Sequence, residues 1–434
     1  MIVAIDAQIR PGGISGGVEQ FVMGLVHSLG TLADGRDQYV IVGPWQDPEW
    51  LAPYLGRGQR IVSGPRPDAS AVDPGKRLLG PLRAPAGRLW RQFRRSVTHH
   101  QQNQRFGITE SGGFYERLGA DVVHFPTNQR FARCDVPMVF NPHDLQHLHY
   151  PQFFDETQIA WREAVYREGC RLAQAVAAES EWVKQDIVRQ YGTHPDKIHV
   201  VPRGSPTELY QPPSTEVLAG TKRNLDLPST FALYPAQTWP HKNHVRLLEA
   251  VALLRDRDGV RIDLVCTGRQ NDFWPVIRRR IKDLRLGDRV RFTGYVSAIE
   301  LRATYRLAEF VVFPSLFEGG GFPVLEAFYE GAAVACADVT SLPEYGGDAV
   351  LWFDPTSVQS IAGALARMRA EPDLRLRLIE RGSARILQFT WEQTARRYRS
   401  LYRRLAGCRI SDDEVQSQGS QVGVDREPAG RGGL

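Results

Sequence analysis

Short runs of β-branched and other apolar residues alternate with helical apolar patterns along nearly the whole chain. Ile2-Val3-Ala4-Ile5 predicts a buried strand. Val18, Phe21, Val22, Leu25, Val26 and Leu29 then share one helical face, with Gly30 placed to cap its end. Tyr39–Val42, Asp121–His124 and Met138–Phe140 predict further strands, and Ile198–Pro202 the last strand of a first half. A polar, turn-rich passage at 204–229 predicts a linker. The alternation then restarts. Strands are expected at Phe231–Pro235, Arg261–Cys266, Val290–Phe292, Phe310–Phe313 and Ala332–Cys336. Helices are expected at Val245–Leu254, Pro275–Leu284, Ala298–Ala308 and Pro323–Tyr329.

Strands alternating with helices imply parallel sheets covered on both faces. Two such halves imply an α/β protein of two doubly wound, Rossmann-like domains facing a central cleft. The expected divisions are 1–205, 206–387 and a C-terminal helix over 388–407. That helix opens on a capping box, Thr390 to Gln393, and carries an apolar stripe of Trp391, Ala395, Tyr398, Leu401, Tyr402 and Leu405. Residues 408–434 are polar, Gly-rich and aperiodic, and are expected to be disordered.

Composition narrows the class. Of 434 residues, 42% are hydrophobic and 24% charged, which excludes a wholly disordered or collagen-like chain. With 54 Lys and Arg against 49 Asp and Glu, the net charge is +5; an anionic partner is permitted and nucleic acid is not required. Five scattered cysteines form no C-x-x-C pair, which points to a reducing compartment and away from a zinc ribbon or disulfide framework. The start, Met1 to Asp6, lacks the marks of a signal peptide, and no stretch approaches the ~18 apolar residues of a membrane span. A cytoplasmic protein is expected. Residues 76–95 hold seven cations and no acid, interleaved with Leu, Trp and Phe. They read either as a solvated surface or as a patch for a lipid-phosphate substrate or for the inner face of an anionic membrane.

Four constellations carry candidate chemistry. In the first, Phe313 to Phe328, a strand end is followed by Glu318, three glycines and a helix opening at Pro323. Glycines admit close backbone approach, and free N–H groups at a helix start favour an anion. Glu326 is a carboxylate in an otherwise apolar helix and needs a partner. Two vicinal ribose hydroxyls would satisfy both its oxygens; the bland alternative is a first-turn acid complementing the helix dipole. In the second, Tyr234 to His244, Lys242 stands just before a helix, where its ammonium and the helix start would meet one anion.

The third, Asn141 to Pro151, holds His143, His147 and His149. Their spacing matches no zinc pattern, so no metal is expected, and His143 reads as a hydrogen-bonding residue of the first domain. The fourth is the turn from Gly12 to Glu19. It lacks a G-x-G-x-x-G spacing, which disfavours nicotinamide binding, but Gly16 and Gly17 suit phosphate or sugar hydroxyls.

Taken in order, these segments resemble the retaining glycosyltransferases of family 4, with the GT-B fold. The resemblance covers about residues 1–405 and is strongest from Tyr234 to Pro355. Glu318 to Glu326 is similar to the family's E-x7-E motif, and Asp338 to Glu344 and Gly347 to Ala349 resemble segments that follow it. The resemblance implies that Glu326 holds the nucleotide ribose and Lys242 the diphosphate. It implies that Glu318 contacts the transferred sugar, and that Gly320, Gly321 and Phe322 offer backbone N–H groups. Gly16 and Gly17 would close on the donor phosphate, and His143 would lie near the sugar. Many members have an arginine where Gln237 stands, which would leave Lys242 most of the charge neutralisation. No convincing Asp-x-Asp motif is present, so the resemblance implies a metal-independent hexosyl transfer with no cofactor. The wording of Trp239 to Asn243 resembles members that transfer mannose in bacterial polysaccharide assembly, implying GDP-mannose as donor and a glycan or lipid-linked acceptor. The alternatives are a nucleotide-sugar epimerase of the same fold and a non-catalytic nucleotide- or sugar-binding module.

Overall fold

The computed structural model describes residues 1–9, 11–12, 16–32, 36–66 and 108–409. The basic segment 76–95 and all but the first two residues of the tail 408–434 lie outside the described residues. The chain divides into two compact units. Among the described residues, one comprises those of Met1–Ala178, Lys184–Val201 and 395–409; the other comprises Glu179–Val183 and Pro202–Thr394.

The first unit is built on a seven-stranded, wholly parallel sheet. Its strands are β1 (Ile2–Asp6), β2 (Gln38–Gly43), β3 (Gln59–Ser63), β4 (Val122–Phe125), β5 (Met138–Phe140), β6 (Ala175–Ala178) and β7 (Ile198–Val200). Their spatial order is β3-β2-β1-β4-β5-β6-β7. Ile108–Glu110 and Phe131–Arg133 form a separate two-stranded pair. Central strands such as β4 and β6 are buried at every position, as expected of strands covered on both faces. Helix α1 (Gly17–Thr31) buries the predicted face of Phe21, Val22, Leu25, Val26 and Leu29. Gly30 does not cap it. The helix continues to Thr31, and Gly30 lies where the Gly56 backbone crosses: an added Cβ would stand 2.7 Å from the Gly56 Cα.

The second unit has a six-stranded parallel sheet. Its strands are β8 (Ala232–Pro235), β9 (Leu264–Thr267), β10 (Val290–Gly294), β11 (Phe310–Phe313), β12 (Val334–Ala337) and β13 (Val350–Phe353), in the order β10-β9-β8-β11-β12-β13. The 204–229 passage is not a plain linker. It contains helix α2 (Thr215–Asn224), whose N-terminus Ser214 caps by accepting the Val217 amide at 3.3 Å. Helices α3 (His244–Asp258), α4 (Ala298–Leu307) and α5 (Phe322–Tyr329) follow β8, β10 and β11. α2 packs on α4, and α6 (Val358–Ala370) packs on α3.

Helix α7 (Trp391–Leu405) begins in the second unit and runs from Ala395 within the first. In the first unit Tyr398 and Tyr402 are fully buried. Asn141 Nδ2 donates to the Tyr398 hydroxyl at 2.7 Å. His124 lies 2.8 Å from Asn141 Oδ1 through Nε2 and 2.6 Å from the Tyr402 hydroxyl through Nδ1. A neutral imidazole satisfies both contacts: Nε2–H donates to Asn141 and Nδ1 accepts from Tyr402. Burial holds the ring neutral by lowering its pKa to about 3.

Candidate functional site

In the second unit the strand order reverses between β8 and β11, and ligands of open α/β sheets sit at such a switch point. The loops leaving these two adjacent strands carry Lys242 and Glu318. They are stitched together by the polypeptide itself. Asn243, held at φ 61°, donates through Nδ2 to the carbonyls of Pro314 at 2.9 Å and Pro355 at 2.8 Å. The Leu316 amide donates to the His241 carbonyl at 2.8 Å. The hydroxyl of Tyr234, near the carboxyl end of β8, donates to the carbonyl of Lys242.

This fixes a close pair. Lys242 Nζ lies 2.6 Å from Glu318 Oε1, with both side chains mostly shielded from solvent. The Glu318 backbone is in turn fixed by its neighbours in the next βα loop: Thr340 Oγ1 accepts from its amide at 3.1 Å, and the hydroxyls of Thr340 and Ser341 donate to its carbonyl at 2.8 and 2.9 Å. Lys242 stands at the end of a short 3-10 turn, Pro240–Lys242, and α3 opens two residues later. Gln237 turns to a neighbour, its Oε1 accepting from the Trp239 indole at 3.1 Å.

The three glycines lead directly into α5. Gly321 is its N-cap and supplies no side-chain acceptor; Pro323 has no N–H and the Val324 and Leu325 amides donate to the Gly321 carbonyl at 3.0 Å, which leaves the Phe322 amide for a ligand or solvent. Gly320 and Gly321 are both closely approached by other side chains. A Cβ on Gly320 would lie 2.5 Å from Glu179 Oε2 and 3.0 Å from Arg203 Nε; one on Gly321 would lie 2.8 Å from the Tyr345 ring. Glu179 and Arg203 form a buried ion pair, and the Arg203 guanidinium lies 4.1 Å from the centre of the Phe322 ring. Phe322 itself is buried.

Glu326 lies within α5 and is partly exposed. Its carboxylate is not left to solvent alone: the Tyr305 hydroxyl, from α4, donates to Oε2 at 2.7 Å. Burial pushes its pKa up to about 7, with the charge of Glu330 acting in the same direction and the Tyr305 hydrogen bond against it.

In the first unit, Gly16 adopts φ 53° and ψ −126°, a region that side chains rarely enter, and Gly17 is the first residue of α1. His143, at φ 65°, is buried at the carboxyl end of β5. Its Nε2 lies 2.9 Å from the Pro126 carbonyl, and its ring packs edge-on against Phe21 of α1 at 5.3 Å. His147 goes to Glu163 at 2.9 Å and His149 to Asp186 at 2.8 Å. Among the described residues no three His, Cys, Asp or Glu side chains converge as metal ligands would.

The structure thus brings Lys242 and Glu318 into contact and places the glycine loop and Glu326 on the same strand-to-helix connection, with Gln237 on the neighbouring one. Gly16, Gly17 and His143 belong to the other unit, where His143 packs on Phe21 of the helix that Gly17 opens. Sequence reasoning missed Tyr305, Thr340 and the Glu179–Arg203 pair. They stand in stretches of mixed polarity where nothing local singles them out, and their partners are remote in sequence.

Two family models match the chain: Glycosyltransferase Family 4 over residues 15–209 and Glycosyl transferases group 1 over residues 221–385. The chain is also 30% identical, over 318 residues, to MMP alpha-(1->4)-mannosyltransferase of Mycolicibacterium hassiacum. That match covers 66% of this chain and 72% of the relative. The chain belongs to glycosyltransferase family 4. This glycosyltransferase is also 28% identical over 267 residues to O-antigen chain mannosyltransferase B of Escherichia coli, a match covering 60% of the chain and 69% of the relative.

Solved structures confirm the GT-B fold of the glycosyltransferase. Sucrose-phosphate synthase from Thermosynechococcus elongatus superposes with a TM-score of 0.62 at 21% identity, covering 94% of this chain and 99% of that one. WaaG, a glycosyltransferase involved in lipopolysaccharide biosynthesis, does so with 0.61 at 14% identity, covering 93% and 100%. In the glycosyltransferase, no helix among the described residues is long and apolar enough to cross a membrane.

Proposed function

We propose that this glycosyltransferase moves a hexosyl group, with retention of anomeric configuration, from a nucleotide-sugar to a glycan or lipid-linked oligosaccharide in polysaccharide biosynthesis. GDP-mannose is the proposed donor, in keeping with the mannosyltransferases among its relatives. The observation that carries the reading is the Lys242–Glu318 pair at the β8–β11 switch point, beside the uncapped start of α5.

A nucleoside diphosphate leaves readily when its growing charge is matched. Lys242 and the positive end of the α5 dipole, with the Phe322 amide, supply preorganised positive potential for that charge, which is worth most where water is scarce. Glu318, held by Lys242 and by Thr340, would accept hydroxyls of the transferred sugar. Glu326 would accept those of the ribose, and Gly320, Gly321 and Phe322 would give backbone N–H groups to sugar or phosphate. Gly16 and Gly17 would contact the donor phosphate, and His143 the sugar. The scheme routes no step through a metal.

Thermal-shift measurements against GDP, UDP, ADP and dTDP test the donor base, because a ligand that binds the native state raises its melting temperature. Turnover of GDP-mannose with candidate acceptors, followed by NMR of the product's anomeric proton, tests transfer and retention. An epimerised nucleotide-sugar without acceptor would support the epimerase instead, and absence of donor turnover would support a binding module.

A further inference from the structure

Glu326 does not stand alone in the second unit. Tyr305, 1% exposed, donates to Oε2 from the neighbouring helix α4, and its oxygen lies 3.4 Å from the Pro323 carbonyl. One turn on, at the C-cap of α5, Glu330 is held by two guanidinium groups of α4: Arg302 meets its Oε1 and Arg306 its Oε2. Arg302 also donates to the Tyr210 carbonyl, so the base of this cluster is anchored to the passage before α2. The ionisable groups acting on Glu326 are therefore Tyr305 and Glu330, the latter compensated by Arg302 and Arg306. Lys242 and Glu318, on the loops nearby, are engaged with each other.

A carboxylate in this setting faces two difficulties. Its charge is poorly solvated, and its side chain has rotamers that would turn it away from a ligand. One phenol corrects both. A hydroxyl donated to Oε2 favours the ionised form and fixes the plane of the carboxylate. Oε1 is left to a ligand.

We propose that Tyr305 is a positioning residue for Glu326, holding Oε2 so that Oε1 stays charged and available to a ribose hydroxyl. This deepens the reading of Glu326 as the ribose-holding carboxylate and rests on it. Nucleotide-sugar binding is then coupled to the ionisation of Glu326, and Tyr305 sets the pH at which binding fades.

The test is calorimetric binding of GDP-mannose to the full chain between pH 5.5 and 9.5, with UDP-glucose run beside it so that a wrong base does not hide the effect. The diphosphate of these diesters carries a constant charge over that range. Wild type should weaken as pH falls through about 7, and Glu326→Gln should bind weakly with little pH dependence. Tyr305→Phe should move the midpoint upward by about one to two pH units. It would bind about 10- to 100-fold more weakly at pH 6.5 and recover toward wild type by pH 9.5. A Tyr305→Phe profile that superimposes on wild type, or that is lowered equally at every pH, overturns the positioning role. So does loss of cooperative melting in that variant. Binding that neither pH nor Glu326→Gln changes would instead overturn the ribose assignment of Glu326 itself.

Discussion

The Lys242 ammonium lies 2.6 Å from a Glu318 carboxylate oxygen, although 76 positions separate the two residues. From its place in the sequence the lysine has no acidic neighbour. Adjacent parallel strands bring the acid to it. The pair compensates both charges, and a phosphate can share the ammonium without a buried charge being left alone.

Lys242→Ala should therefore reduce turnover far more than stability. Loss of one preorganised charge at a leaving group is typically worth ~10²–10³ in rate. The melting temperature should fall only modestly, because both side chains retain some access to solvent. Adding Glu318→Gln to Lys242→Ala should recover part of the stability loss and none of the turnover. Unchanged kcat at saturating donor would remove Lys242 from the reaction.

The two glycines before α5 should differ in their tolerance of a methyl group. In Gly321→Ala the new Cβ meets the Tyr345 ring, which is fully buried and stacked on Phe389 at 5.1 Å. In Gly320→Ala it meets the ends of the Glu179 and Arg203 side chains, which can shift more easily. Overpacking of this kind costs about 1–3 kcal/mol, with Gly321→Ala nearer the upper end. Differential scanning calorimetry gives the order directly, and a larger loss for Gly320→Ala would contradict it.

Stability should also depend on pH through Glu326. Its folded pKa, about 7, lies above the ordinary 4.5. The native state thus keeps a proton that the unfolded chain has released. The group's contribution is fully present below pH 4.5 and is lost as pH rises through about 7. Without ligand, Glu326→Gln should melt above wild type at pH 8 and close to it at pH 4.5. The difference corresponds to about 3 kcal/mol at most. A gain that is the same at both pH values would mean that ionisation is not its cause.

His124 carries the opposite sign. Its folded pKa, about 3, lies below the ordinary 6.5, so its contribution is present above pH 6.5 and is lost as pH falls toward 3. Tyr402→Phe removes the hydroxyl donated to Nδ1 and leaves a buried acceptor without that donor, at a cost of about 1–3 kcal/mol. Hydrogen exchange should show the loss at β4 and along α7 from Ala395, and no change at α5.

Much of this protein was legible in its sequence. The alternation of β-branched runs with helical stripes marked two parallel-sheet units, because strands buried on both faces must be apolar at nearly every position. The glycine loop with Glu318 and Glu326, and Lys242 before a helix, were visible because strand-to-helix turns use local chemistry. Short strands such as Gln59–Ser63, mixed in polarity and only partly buried, gave no such signal, and a capped helix hid within the passage read as a linker. What only the tertiary structure decided is who meets whom. Sheet order puts Lys242 beside Glu318, and helix packing puts Tyr305 on Glu326. It also sets Arg203 and Glu179 behind Gly320. Periodicity along a chain records which face of an element is buried. It does not record which element covers that face, and a carboxylate's charge depends on the partner that arrives there.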